Sequence, residues 1–130
     1  MPPESPAEWY SYAVVRIVPR VERAEFINAG VILFVRATRL ICAKIELDEE
    51  HVRRIDPAAD IDGIRKHLEL FTAVCDAAPE GGPIAELPAD ERFHWLTAPR
   101  STIIQLSPVH EGCTDDPEAT LGRLFHAYVN

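Results

Sequence analysis

The chain has 130 residues and a formal net charge of −8, from 21 acidic and 13 basic side chains, and 47% of it is hydrophobic. That length suits one domain with a core of its own, while the acidic balance argues against nucleic acid or an anionic membrane as partner, since both reward a basic surface. Three cysteines without CxxC spacing fit a reducing compartment, and the absence of a signal-like start or a ~20-residue apolar run points to a cytoplasmic protein with no membrane partner.

Residues 1–8 carry three prolines and read as a flexible N-terminal tail, leaving residues 9–130 as a single globular domain. Residues 9–18, WYSYAVVRIV, form the densest β-forming run, apolar at odd and even positions alike, so both faces of this strand are expected to be covered. Arg16 is the exception and shares a face with Tyr12, Val14 and Val18. Either it snorkels to water near the strand end, or it is a fixed guanidinium that pairs a carboxylate or a bound anion. Pro19 ends the strand, and residues 20–28 read as a charged connector or short helical turn. Gly30 suggests a bulge or close backbone approach before a second strand at 31–35. A turn at 37–39 leads to a third strand at 40–47, giving an antiparallel meander.

Asp48 suits the N-cap of a short helix through Ile55, and Asp60 or Asp62 that of the longest helix, which ends near Ala78. The longest helix's core stripe is Ile64, Leu68, Phe71, Cys75 and Ala78, with His67 off it on the surface. Residues 79–83, PEGGP, break the helix and match no phosphate-loop pattern. A short helix opening at 88–91 carries Phe93, Trp95 and Leu96. Residues 101–106, STIIQL, make a fourth strand expected to pair beside the first, and 107–116 read as a loop without regular pattern. Asp116 caps the last helix, with Pro117 at its first position and Leu121, Leu124, Phe125 and Tyr128 on its buried face.

Polar chemistry concentrates at 97–102 and in the long loop that follows, which is more loop than a tight hairpin needs. Arg100 is suited to bidentate anion binding, His110 to proton transfer near neutral pH, and Asp115 to orienting that imidazole. A Ser–His–Asp set can be named from Ser101 or Ser107 with His110 and Asp115, but no GxSxG setting surrounds either serine. His110, Cys113 and Asp115 lack the second spaced pair that zinc favours, so no metal and no cofactor are expected. Each polar residue also has a plain structural reading, and no complete catalytic constellation is visible.

The segments YSYAVVRIVPRVERAEFINAGVILF and RFHWLTAPRSTIIQLSPVHEGCTDDP, with the helix after them, closely resemble a bacterial family known as domain of unknown function 3037, over roughly residues 9–129. The resemblance implies a small cytoplasmic bacterial protein and an association with HipA-like kinases through gene neighbourhood. It singles out Arg16, Arg20, Glu25, Asn28 and Gly30 in the first block, and Arg100, Ser101, His110, Asp115 and Asp116 in the second.

The expected fold is α+β: a mainly antiparallel sheet of about four strands, a three-strand meander plus a later strand, packed with two longer and two short helices. The function expected first is a non-catalytic accessory or regulatory protein-interaction module, with a HipA-like kinase as the implied partner. The alternative is an enzyme or small-molecule binder that holds an anionic ligand with Arg16 and Arg100, with His110 and Asp115 as the candidate catalytic pair. Arg20, Glu25, Asn28 and Ser101 are the remaining ligand-binding candidates.

Overall fold

Backbone N–H and C=O groups buried in a sheet must find partners along both edges of the strand that carries them. The computed structural model, which describes residues 7–100 and 102–129, shows how the central strand, β1 (Glu8–Ile17), meets that demand. One edge pairs antiparallel with β2 (Ile27–Val35), setting Tyr10 opposite Val35 and Val14 opposite Val31. A third strand, β3 (Leu40–Ile45), continues the meander on the far side of β2. The other edge of β1 is shared by two strands. Its C-terminal half pairs with β4 (Ile104–Leu106) and its N-terminal half with β5 (His110–Thr114).

The sheet thus has five strands, one more than the sequence pattern indicates. The expected loop at 107–116 contains β5, whose HEGCT sequence has little β propensity and is recruited by the open edge of β1. The expected strand at 101–106 is shorter, because Thr102 and Ile103 precede the ladder; Ser101 lies outside the described residues.

Ser107 joins the two halves of this edge. It is 4% exposed; its N–H donates to the Val14 carbonyl at 2.9 Å and its Oγ accepts from the Val14 N–H at 2.8 Å. The hydroxyl in turn donates to the Pro108 carbonyl at 2.9 Å. Proline has no N–H to offer a ladder, so the side chain of Ser107 carries the pairing across the break between β4 and β5.

The register of β1 against β2 slips between Val15 and Arg16, so that Gly30 faces Val15 while Asn28 faces Arg16 and Ala29 is the extra residue of a bulge. A Cβ at Gly30 would lie 2.5 Å from the Lys44 carbonyl oxygen, which explains the glycine. Asn28, expected in the connector, is therefore a strand residue. The connector keeps one turn of 3₁₀ helix, Val21–Arg23.

One face of the sheet, through Ala13, Val15, Ile17, Ile32 and Phe34, packs on α1 (Glu49–Ile55), α2 (Ile61–Cys75) and α3 (Ala89–Thr97). Asp48 caps α1 through the His51 N–H at 3.1 Å, and Asp60 caps α2 through the Gly63 N–H at 3.0 Å. The α2 stripe of Ile64, Leu68, Phe71 and Cys75 is buried as its spacing indicates. The helix ends at Cys75 rather than near Ala78, because Ala77 turns left-handed (φ 54°) and the Ala77 and Ala78 N–H groups fold back onto Val74 and Ala73. Arg92 of α3 satisfies the remaining Val74 and Cys75 carbonyls at 3.0 and 2.9 Å, tying the two helices together. Phe93 stacks on Phe34 with ring centres 5.2 Å apart.

Among the described residues, the helix on the other face is α4 (Pro117–Val129), which packs on β2 and β3 through Leu121 against Val31, Leu33 and Val35. Asp116 caps it through the Ala119 N–H at 3.2 Å. Tyr128, expected on the buried face of this helix, is 40% exposed, since the last turn overhangs the sheet towards β1. The expectation that both faces of β1 are covered holds from Ala13 to Ile17 apart from Arg16. It fails at Trp9, which is exposed, and holds only in part at Tyr10 and Tyr12, which stay half-exposed beside α4.

Ser107→Ala leaves the buried Val14 N–H without an acceptor and is expected to cost about 1–3 kcal/mol, read as a lowered urea midpoint with an unchanged slope. Ser107→Thr, which keeps the hydroxyl, is expected to lose less.

Candidate functional site

Side chains two residues apart on a strand share a face, so Tyr10, Tyr12, Val14 and Arg16 form one row along β1 on the side that carries α4. Cross-strand neighbours extend the row: His110 lies opposite Tyr12, and Gln105 and Asn28 lie opposite Arg16 on its two sides. Because α4 lies mainly over β2 and β3, Tyr10, Tyr12 and Arg16 of this row stay partly open, while Val14 between them is buried. From Tyr10 to Arg16 the row spans about 20 Å at ~3.3 Å per residue.

Its centre is aromatic. The Tyr12 and Tyr128 hydroxyls hydrogen-bond at 3.1 Å, with ring centres 6.1 Å apart. Tyr12 also lies 5.3 Å from the His110 ring and 6.0 Å from Tyr10. A Cβ at Gly112 would fall 2.6 Å from the Tyr10 hydroxyl oxygen, so the glycine leaves room for that ring to lie across β5. The Tyr128 hydrogen bond, reinforced by burial and by the two neighbouring phenols, pushes the Tyr12 hydroxyl up to about 12. Tyr12 is therefore a neutral hydrogen-bonding group throughout the physiological range.

At the other end of the row, the Arg16 guanidinium lies over the Phe26 ring, 4.2 Å from its centre. Its Nε is buried and has no hydrogen-bond partner among the described residues, and the same holds for Oδ1 of Asn28 directly opposite. The Asn28 amide nitrogen is used, donating to the Tyr128 carbonyl at 3.1 Å. Arg16 thus neither meets a carboxylate nor simply reaches for water; an aromatic face holds it.

The other candidate residues are dispersed. Arg20 pairs with Glu22 at 3.1 Å and Glu25 with Arg23 at 2.6 Å, all exposed on the connector. Such pairs are weak holders of anything else. Arg100 stacks on Trp95, 4.1 Å from the ring centre, and donates to the Trp95 carbonyl. It lines a cleft with α2, α3 and Ile104, on the opposite face of the sheet from Arg16. His110 is four residues along the sheet from Arg16, about 13 Å at ~3.3 Å per residue. Asp115 is exposed and lies beyond the far end of β5 from His110. The geometry brings Arg16 to Asn28 and His110 to Tyr12; it does not bring Arg16 to Arg100 or His110 to Asp115. Ser101 lies outside the described residues.

Cys42, Cys75 and Ser107 are not poised as nucleophiles. Burial pushes Cys75 up to about 12 and raises Cys42, so both favour the protonated thiol. Ser107 has its hydroxyl committed to the backbone. Among the described residues no three His, Cys, Asp or Glu side chains gather as a metal site requires, and no helix is long and apolar enough to cross a membrane. The residues that sequence patterning missed are Tyr12, Tyr128 and Phe26. The alternation of Tyr10, Tyr12, Val14 and Arg16 was the available signal, but which face lay open was not.

A family model described as "Protein of unknown function (DUF3037)" matches residues 12–129. No curated protein and no solved structure matches the chain.

A phenol whose folded-state pKa is raised stabilises the fold fully below its unfolded value near 10, and that contribution is lost as pH climbs through the folded value. With Tyr12 pushed up to about 12, stability is expected to fall between pH 10 and 12. The loss is about 1 kcal/mol after allowance for solvent screening of this half-exposed pair. Tyr128→Phe should flatten that loss, as followed by urea denaturation across the alkaline range; an unchanged slope would show that the two hydroxyls are not coupled.

Proposed function

The chain belongs to the DUF3037 family, whose description carries no activity, and we propose that it is a non-catalytic accessory or regulatory module that docks a protein partner on the open sheet face. The observation that carries this reading is the row from Tyr10 to Arg16 with Phe26, His110 and Tyr128 beside it. Phe26 is 47% and Tyr128 40% exposed. Tyrosine, phenylalanine and arginine are the side chains that concentrate binding energy at protein interfaces, because each offers a broad apolar body with little rotamer entropy to lose or a polar tip to pair.

Charge narrows the partner. Arg16 and His110 lie in the row, and Glu8 continues it beyond Tyr10 on the same strand face. The complementary surface is apolar with acidic groups that can reach the Arg16 guanidinium and the phenols. The family resemblance points to a HipA-like kinase as that partner. The separation of His110 from Asp115, and of Arg16 from Arg100, supports a binding role for this face over acid–base chemistry on it.

Co-expression with a HipA-like kinase from the same gene neighbourhood is expected to yield a complex that survives size-exclusion chromatography at micromolar concentration. Phe26→Ser and His110→Ala, both at exposed positions, should each weaken it by roughly tenfold or more with the circular dichroism spectrum unchanged, whereas Leu87→Ser, exposed elsewhere, should not. Separate elution of the two proteins, or equal effects of all three substitutions, would refute the proposal.

A further inference from the structure

We infer that the cleft between α2, α3 and β4 is a small-molecule site for a monocarboxylate with an apolar body, whose carboxylate is taken by Arg100. The cleft encloses about 280 Å³ and is lined by His67, Leu70, Phe71, Trp95, Arg100, Thr102 and Ile104. It lies on the opposite face of the sheet from the proposed docking row, so the two readings stand or fall separately.

Three features carry the inference. The walls are apolar, and two of the side chains in them remain open to solvent, Leu70 at 47% and Trp95 at 36%. In a chain with 21 acidic residues, none of the described ones lines this cleft; among the described residues its only groups able to carry charge are Arg100 and His67. Finally, Arg100 is a half-buried cation without an ion-pair partner among the described residues. It donates to the Trp95 carbonyl while its guanidinium carbon lies over the indole, and burial lowers its pKa without removing the charge. A guanidinium has five N–H donors in a fork that matches a carboxylate. Lying over Trp95 with one donor committed to its carbonyl, it has further donors for the apolar cleft it lines, where an anionic head with a hydrophobic tail satisfies both cation and wall.

Size limits the tail. Ligand pockets commonly run ~300–1,000 Å³, and a cleft at the bottom of that range suits a single aliphatic chain of roughly eight carbons or one bicyclic ring, not a dinucleotide. The Thr102 hydroxyl is committed to the Ile104 carbonyl at 2.8 Å, so Arg100 is the specific contact, with His67 the other polar side chain in the lining and Leu70, Phe71, Trp95 and Ile104 supplying apolar surface.

The test uses octanoate, octan-1-ol and acetate. The chain has two tryptophans, and Trp9→Phe leaves Trp95 as the sole fluorophore inside the cleft. Octanoate is expected to change its emission saturably, half-maximally at a concentration on the order of 1 mM or below, with octan-1-ol and acetate each roughly tenfold weaker or more. Arg100→Gln should abolish the preference for octanoate over octan-1-ol, as read by calorimetric titration. Leu70→Asp, which places a carboxylate in the wall at an exposed position, should abolish octanoate binding with an unchanged melting temperature. Equal binding of octanoate and octan-1-ol, equal binding of octanoate and acetate, an Arg100→Gln protein that keeps the preference, or no saturable response to octanoate would each overturn the inference.

Discussion

The structure depends on the need of β1 to satisfy its backbone on both edges. On one side β2 supplies an unbroken partner up to the bulge at Ala29. On the other, no single segment is long enough, and the ladder is assembled from β4, the Ser107 side chain and β5. An unpaired N–H at Val14 would be buried, and a buried unpaired amide costs more than a typical hydrogen bond returns. One hydroxyl therefore holds together an edge that the chain would otherwise leave interrupted. The Thr114–Thr120 hydroxyl pair at 2.7 Å then fastens the end of β5 to α4.

Unequal helix cover follows from this frame and decides where surface chemistry is located. Three helices pack against one face, while α4 crosses the other mainly over β2 and β3 and touches β1 and β5 only through Tyr128 and Thr120. The part of β1 left beyond α4 presents tyrosines, a histidine and an arginine in one row, held by ring contacts and a phenol pair rather than by a covering layer. On the helix-rich face, the end of α3 delivers Arg100 and Trp95 to a separate apolar cleft. The two arginines that stand out in the sequence thus serve different surfaces, because residues on β1 and at the end of α3 are divided by the sheet itself.

Much of this was legible beforehand where local chemistry and pattern agree. The caps at Asp48, Asp60 and Asp116, the α2 stripe, the meander and the bulge at Gly30 each follow from residue type at a fixed offset. The segments that eluded the pattern are those whose structure is imposed from outside. HEGCT becomes a strand because β1 has an open edge, and Asn28 joins β2 because the bulge extends the pairing. Similarly, Cys75 ends α2 because Ala77 turns left-handed and Arg92 arrives from another helix to satisfy the freed carbonyls.

By itself, then, the amino-acid sequence determined the α+β class, the strands that form the centre of the sheet and the residues that begin each helix, since these rest on periodicity and on contacts within a few residues. The tertiary structure alone decided which face of β1 stays open, that His110 meets Tyr12 rather than Asp115, and that Arg16 and Arg100 lie on opposite sides. Those outcomes depend on which helix covers which strand, a matter of packing between segments remote along the chain that no local pattern encodes.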